Sequence, residues 1–304
     1  TPYPCPQAAS YDFNKIIRAD YSEITYAKLA LEALETWKTD PLYKSYFHQS
    51  GMVVVENTGL GRKIINNYGT LKAASESVLI TPEEIRALYS GIFANADYQG
   101  IKEVYVNPLS GWAEATPALK KVIDAAVENG VVYVEGDVES LILSSDGNCD
   151  GIRTKDGREL LATKIILCTG AGTAQLLATS APEKSDLHVG SRMTAAAVVT
   201  GNIKLNKSQL ERFQNTPVFI HGGDVNGQVL PPSPDGILKF CVDVSFTNNS
   251  YHEISGQTIS IPPEGIDTQY SVPKGLEMEC HRVVERIYGK ELEGFEFDSF
   301  RICW

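Results

Sequence analysis

The chain has 304 residues, 43% of them hydrophobic and 21% charged, with a net charge of −11. That length accommodates two domains, or one large α/β domain with an insertion, and the composition excludes a disordered, collagen-like or coiled-coil chain. The excess of 38 Asp and Glu over 27 Lys and Arg argues against a nucleic-acid partner, because phosphate binding needs a basic surface, and it favours small-molecule ligands.

The start, "TPYPCPQAA", has neither an initiator Met nor the basic and apolar regions of a signal peptide. The stretch "QAASYDFNKIIRADYSE" then gathers Ser10, Asp12, Asn14, Lys15 and Arg18 around Ile16 and Ile17. Directly after it, "SEITYAKLALEALETW" sets Ile24, Ala27, Leu31, Leu34 and Trp37 at helical spacing, with Ser22 and the neighbouring acids as candidate caps. "GMVVVEN" reads as a strand, residues 58–77 as a surface excursion, and "TPEEIRALYSG" as a helix with Thr81 at the N-cap, Pro82 at N1 and Glu84 at N3.

The middle third predicts a βαβ-like unit. "VYVNPLSGWAEATPALKKVIDAAVENG" gives strand, Gly-containing turn and helix, and "VVYVEG" follows as the next strand. Two hairpin turns come next, at Asp146-Gly147 and Asp156-Gly157, and then a buried strand, "KIILCTG", running into Thr169-Gly170-Ala171-Gly172 ahead of a helix. Small residues at such a turn let backbone amides approach a phosphate or a cofactor ring, or simply allow tight packing. At Gly111 and Trp112 the choice is similar: a binding turn or a Trp that closes the core. From about Leu187 alternating β patterns dominate, and the helix "PKGLEMECHRVVERIYG" presents Leu276, Val283, Val284 and Ile287 on one face.

Six scattered cysteines without a CxxC pair and five scattered histidines without HExxH predict reduced thiols and no metal site. No apolar run approaches the ~20 residues that cross a bilayer. The end, "SFRICW", stops where a strand would continue, so the sequence is expected to be part of a longer polypeptide. Two lysines stand among apolar neighbours: Lys15 before Ile16-Ile17, and Lys239 between Leu238 and Phe240 on an alternating strand. Such a lysine either snorkels to water or holds a substrate or oxygen species.

Several separated segments then agree with one family. "ASYDFNKIIRADYSE", "YKSYFHQSGMVVVEN", "SGWAEATPALKKVIDAAVENGVVYVEGDV", "DGRELLATKIILCTGAGTAQLL", "GILKFCVDVSFTNN" and "FRICW" resemble, in the same order, the FAD-dependent amine oxidases of the D-amino-acid oxidase superfamily. The resemblance is nearest to fungal fructosyl-amino-acid oxidases (amadoriases), with saccharopine, sarcosine and pipecolate oxidases as neighbours. It implies an α/β fold in which a Rossmann-like FAD/NAD(P)-binding domain (residues 1–48 and 104–186) is interleaved with a mixed β-sheet substrate domain (49–103 and 187–304). In that family the GxGxxG turn lies upstream of the segment like residue 1, and the flavin-tethering cysteine lies beyond the segment like "RICW". The 304 residues alone are therefore expected to bind FAD poorly or not at all.

Carried over by residue, the resemblance implies that Asn14, Lys15 and Arg18 line the flavin, with Lys15 facing the ring. It sets Lys239 beside flavin N5, where it assists the reaction with oxygen, and Asp243 where amadoriases use a Glu against the substrate. Val138 follows a strand end of the kind that meets adenine, and Thr169 and Gly170 sit at a turn beside the cofactor. The implied activity is oxidation of a secondary amine, such as a fructosyl amino acid, by O2 to an imine and hydrogen peroxide. A saccharopine-, sarcosine- or pipecolate-type oxidase and a non-catalytic remnant of the same fold are the alternatives. A monomer in the cytoplasm or peroxisome, with an amine and O2 as its small-molecule partners, is expected.

Overall fold

The computed structural model describes residues 3–222 and 226–304. The polar stretch forms strand β1 (Lys15–Ile17) and leads to helix α1 (Ile24–Thr39). Ala27 and Leu34 of its apolar stripe are buried, but Glu23 rather than Ser22 stands at the N-cap, without a side-chain cap. β2 (Phe47–His48) and the fully buried β3 (Met52–Val55) follow. Residues 58–77, expected as a surface excursion, contain helix α2 (Leu60–Thr70) with Ile64, Asn67 and Tyr68 buried. Its N-cap is Gly59, left-handed at φ 77, so no Ser, Thr or Asp marks the start. After β4 (Val78–Ile80), α3 (Pro82–Ala87) carries the expected capping box in both directions between Thr81 and Glu84.

β5 (Val104–Asn107) and α4 (Ala115–Glu128) are the expected strand and helix, but Gly111–Ala113, expected within a turn, forms strand β6 because β1 and β2 pair with it on both edges. The next run, 131–136, is not the expected strand, and the βαβ-like unit lacks its second β element. β7 (Val138–Leu143), β8 (Cys149–Thr154) and β9 (Glu159–Leu161) form a meander through the two expected hairpin turns. "KIILCTG", expected as a buried strand, also lies outside any ladder. Val132 is 83% exposed and Ile166 86%. Apolar β-branched residues favour an extended chain, but a strand exists only where a neighbour takes its N–H and C=O groups. Among the described residues no strand pairs with either run.

The rest of the chain supplies α5 (Thr173–Ser180), β10 (Val198–Lys204), α6 (Lys207–Phe213), β11 (Val218–His221), β12 (Gly227–Leu230) and β13 (Ile237–Val242). The hairpin β14 (Asn249–His252) and β15 (Gln257–Ser260), helix α7 (Lys274–Tyr288) and β16 (Ser299–Cys303) complete it. Eight strands form one mixed sheet in the order β16-β10-β13-β12-β11-β3-β5-β4, in which β3 and β11 are parallel. β5, on the FAD-domain side of the expected boundary at 104, is paired on both edges inside this sheet, with β3 and β4. Its apolar Val104 and Tyr105 are buried there, which fixes its place.

The two faces of the sheet differ. Leu238, Phe240 and Val242 point to a wholly apolar core with Val283, Ile287 and Tyr288 of α7, and Gly227 lets Val283 close in, since a Cβ there would lie 2.4 Å from it. The opposite face carries a second core of Met52, Val54, Leu230 and Tyr105 under α1 and α2. Beside that core, β1, β6 and β2 make a small antiparallel sheet. Gly111 is required in it, because a Cβ would stand 2.0 Å from the His48 carbonyl oxygen.

The exit of β1 is tied to the large sheet through one buried carboxylate. Asp20 Oδ1 accepts from the Tyr105 hydroxyl at 2.5 Å and from Asn107 Nδ2 at 2.7 Å, and Oδ2 accepts from Ser110 Oγ at 2.5 Å. Burial, followed by the charge of Asp20, pushes the Tyr105 hydroxyl well above the usual phenol range.

Asp20→Ala strands three buried donors and is expected to lower unfolding free energy in urea by about 3 kcal/mol. Gly111→Ala is expected to cost about 1–3 kcal/mol in the same titration, by forcing β6 away from β2.

Candidate functional site

Along β13 the side chains alternate, so Lys239 and Cys241 lie on the face opposite to Leu238, Phe240 and Val242. The ladder sets Lys239 across from Asn202 and Leu230, and Thr200 across from both Cys241 and Arg301. These cross-strand neighbours share one face.

Lys239 does not snorkel: its side chain is 4% exposed. A buried ammonium requires a counter-charge and acceptors, and both come from the loop entering β1. Lys239 Nζ donates to Asp12 Oδ2 at 2.5 Å and to the Asn14 carbonyl at 3.1 Å, and it stands 5.4 Å from the centre of the Phe13 ring. The same Asp12 Oδ2 lies 2.9 Å from Lys15 Nζ, whose side chain is 40% exposed. Burial acts to raise the Asp12 carboxyl, but the charges of Lys239 and Lys15 outweigh it and hold it below the usual carboxylate range. The backbone of Asp12 is clamped to the start of α4. Its N–H donates to Thr116 Oγ1 at 3.0 Å, and its carbonyl accepts from the Thr116 hydroxyl and N–H at 2.7 and 2.9 Å.

Asn14, between these groups in sequence, is completely buried, and both polar atoms of its side chain lack a partner. Arg18 donates to the Asp20 carbonyl and covers the Tyr21 ring at 4.4 Å. Asp243 follows the end of β13 and is exposed at its rim. Desolvation by the surrounding protein raises its carboxyl, and the charge of Arg18 acts to lower it. The structure thus brings Asn14, Lys15 and Lys239 together and sets Arg18 and Asp243 within electrostatic reach of each other.

A cavity of about 500 Å³ reaches Asp12, while Asn14, Lys15 and Lys239 do not line it. Its walls include Asp12, Trp112, Glu114, Thr200, Asn202 and Arg301. Trp112 closes the core: it is 4% exposed and packs in the second core, with His48 stacked on it at 4.1 Å, and it also lines the cavity. Glu114 holds His48 Nε2 at 2.8 Å. Arg301 gives its N–H groups to the carbonyls of Tyr11, Pro6 and Ala8, binding the loop before Asp12 to β16.

Thr169 and Gly170 belong to a different place. Gly170 opens a 3-10 turn ahead of α5, left-handed at φ 51, and lines a second cavity of about 340 Å³ with Ala171, Met193, Ser260 and Trp304. A Cβ at Gly170 or Gly172 would meet nothing within 4 Å. Val138 begins β7 and pairs with Thr154 in the small meander, apart from the lysine cluster. Asp12 and Arg301 are the residues that sequence reasoning left without a role. Their partners lie 227 and 290 residues away, so no local spacing reveals them.

Among the described residues no helix is long and apolar enough to cross a membrane. L-Saccharopine oxidase of Schizosaccharomyces pombe is 26% identical over 326 residues, covering all of this chain and 71% of that protein. An amino acid oxidase of Aspergillus fumigatus is 26% identical over 265 residues, covering 77% of this chain and 51% of its own length. Among solved structures, the fructosamine oxidase amadoriase II of Aspergillus fumigatus superposes with a TM-score of 0.82 at 26% identity, over 100% of this chain and 68% of that one. A modified fructosyl peptide oxidase from Aspergillus nidulans gives 0.81 at 25% identity, over 99% and 71%. A family model described as FAD dependent oxidoreductase (DAO) matches residues 3–268, and the chain belongs to that family.

Proposed function

We propose that this chain carries the amine-oxidising site of an FAD-dependent oxidase whose substrate is an N-substituted amino acid. The observation that carries the reading is the convergence of Lys239, Lys15 and the Asn14 backbone carbonyl on one face of β13, beside a fully buried, unpartnered Asn14 side chain. The residues fit the cofactor: a buried amide without a protein partner is free to bind a ligand or an ordered water, and the open space over Gly170 and Gly172 suits a group held by backbone amides. Asn14, Lys15 and Arg18 would hold one side of FAD, Thr169 and Gly170 its neighbourhood near α5, and the start of β7 at Val138 its adenine end. In domain terms, residues 1–48 and 108–186 serve the cofactor, while 49–107 and 187–304, including β5, serve the substrate.

When bound, FAD supplies the redox step, taking a hydride from the carbon that bears the amine and passing electrons to O2. The work of the chain is positional. Lys239 presents a fixed, dry ammonium to negative charge developing on oxygen, where a preorganised cation is worth far more than in water. Asp243, beyond the end of the same strand, would be the carboxylate that meets the substrate. L-Saccharopine oxidase, as a relative, and fructosyl peptide oxidase, as a structural neighbour, are named for an N-substituted amino acid and an N-substituted peptide, which supports that substrate class.

In the complete polypeptide that contains this chain, loaded with FAD, hydrogen peroxide is expected from saccharopine or a fructosyl amino acid without any nicotinamide cofactor. Peroxide from neither, with flavin bound, would exclude this substrate class. Lys239→Met is expected to slow flavin reoxidation at least about a hundredfold and flavin reduction far less in stopped-flow absorbance. Equal slowing of both half-reactions would remove the oxygen role.

A further inference from the structure

We propose that Asp12 is a positioning residue: its Oδ2 atom is the shared counter-ion of Lys15 and Lys239, and it couples the two ammonium groups into one unit that carries one positive charge in excess. Geometry makes this the economical account of the cluster. A single oxygen stands 2.5 Å from Lys239 Nζ and 2.9 Å from Lys15 Nζ. Asp12 is 8% exposed and the Lys239 side chain 4%, so water does little to screen that pair, while the half-exposed Lys15 feels it through a partly screened contact. Without the carboxylate, Lys239 keeps only the Asn14 carbonyl, a neutral acceptor at 3.1 Å.

The carboxylate is itself held from outside. Thr116 at the start of α4 fixes its backbone on both sides, and Arg301 of β16 holds the carbonyl of Tyr11 just before it. The Cys241 thiol on β13, pushed up by burial, is the further titratable group that feels Asp12 and both lysines. Asp12 thereby joins three elements, β1, α4 and β13, at the point from which the Lys239 ammonium is aimed. Removing it frees the ammonium to move, and it also leaves two like charges facing each other without mediation.

Coupling through a shared counter-ion makes a prediction of sign that a purely structural ion pair does not. Removing Asp12 makes the charged form of Lys239 harder to keep; removing Lys15 makes it easier, because Asp12 then serves Lys239 alone and a repelling charge is gone. The experiment is a titration of the full chain labelled with 13C-lysine, followed by NMR at the Cε atoms from pH 7 to the alkaline limit of folding, with the Lys239 signal identified by its loss in Lys239→Met. Asp12→Asn is expected to move the Lys239 transition down by at least about one pH unit, and Lys15→Gln is expected to move it up. A Lys239 transition unmoved by Lys15→Gln, or moved in the same direction by both variants, overturns the proposal. Lys15→Gln decides the matter even where Asp12→Asn does not fold, since it leaves the buried Asp12–Lys239 pair intact.

The consequence for catalysis rests on the amine-oxidase reading, and a second readout separates the two. In the FAD-loaded protein, Asp12→Asn is expected to slow reoxidation about tenfold or more with little change in reduction by amine. A shifted titration with unchanged reoxidation overturns the positioning role while leaving the coupling in place. A titration that behaves as expected in a protein that oxidises no amine supports the coupling and places the failure in the functional reading.

Discussion

Side chains on a strand alternate between faces, so a strand in the interior of a sheet must satisfy two environments with a single run of residues. β13 meets that constraint by division. Leu238, Phe240 and Val242 are given to the apolar core under α7, and Lys239 and Cys241 to the face that β1 and α4 approach. A shift of one residue in its register would place an ammonium in the aromatic cluster of Phe93, Phe219 and Tyr288. The rest of the molecule holds that register: α7 seals one face, and the loop from Tyr11 to Asn14 supplies the only kind of cover that a buried lysine accepts, a carboxylate and a carbonyl.

Two buried carboxylates organise the approach to that face in different ways. Asp20 is surrounded by neutral donors from Tyr105, Asn107 and Ser110 and ties the end of β1 to β5. Asp12 meets two ammonium groups and ties the start of β1 to β13. The three-residue strand Lys15–Ile17 is thus moored at both ends by acids, which explains why so many hydrogen-bonding residues crowd a short stretch: they are structural moorings as well as candidate ligands of FAD.

Local signals in the sequence were legible and long-range ones were not. Thr81 with Glu84 announced α3, the Asp-Gly pairs announced the β7-β8-β9 turns, and the alternation around Lys239 announced the strand β13. α2 was missed because Gly59 opens it without a capping side chain. The runs at 131–136 and 164–169 read as strands because β-branched content reports a preference for extension, while pairing depends on a neighbour that the run itself does not encode. Lys15 and Lys239 stood out by their apolar neighbours, the resemblance added Asn14, and the three meet in space; Asp12, which joins the two lysines, was visible in the same stretch but carried no sign of a partner 227 residues away.

The parallel pairing of β3 with β11 has a consequence for how the molecule is made. Met52 must find Val218, and every residue of β3 is buried in the finished sheet. During synthesis at roughly 5–20 residues per second, a fully apolar strand leaves the ribosome many seconds before its parallel neighbour exists, with β4 and β5 able to cover it on one edge only. The central sheet is therefore completed late and by contacts between distant parts of the chain, the regime in which folding is slow and exposed strand edges invite aggregation.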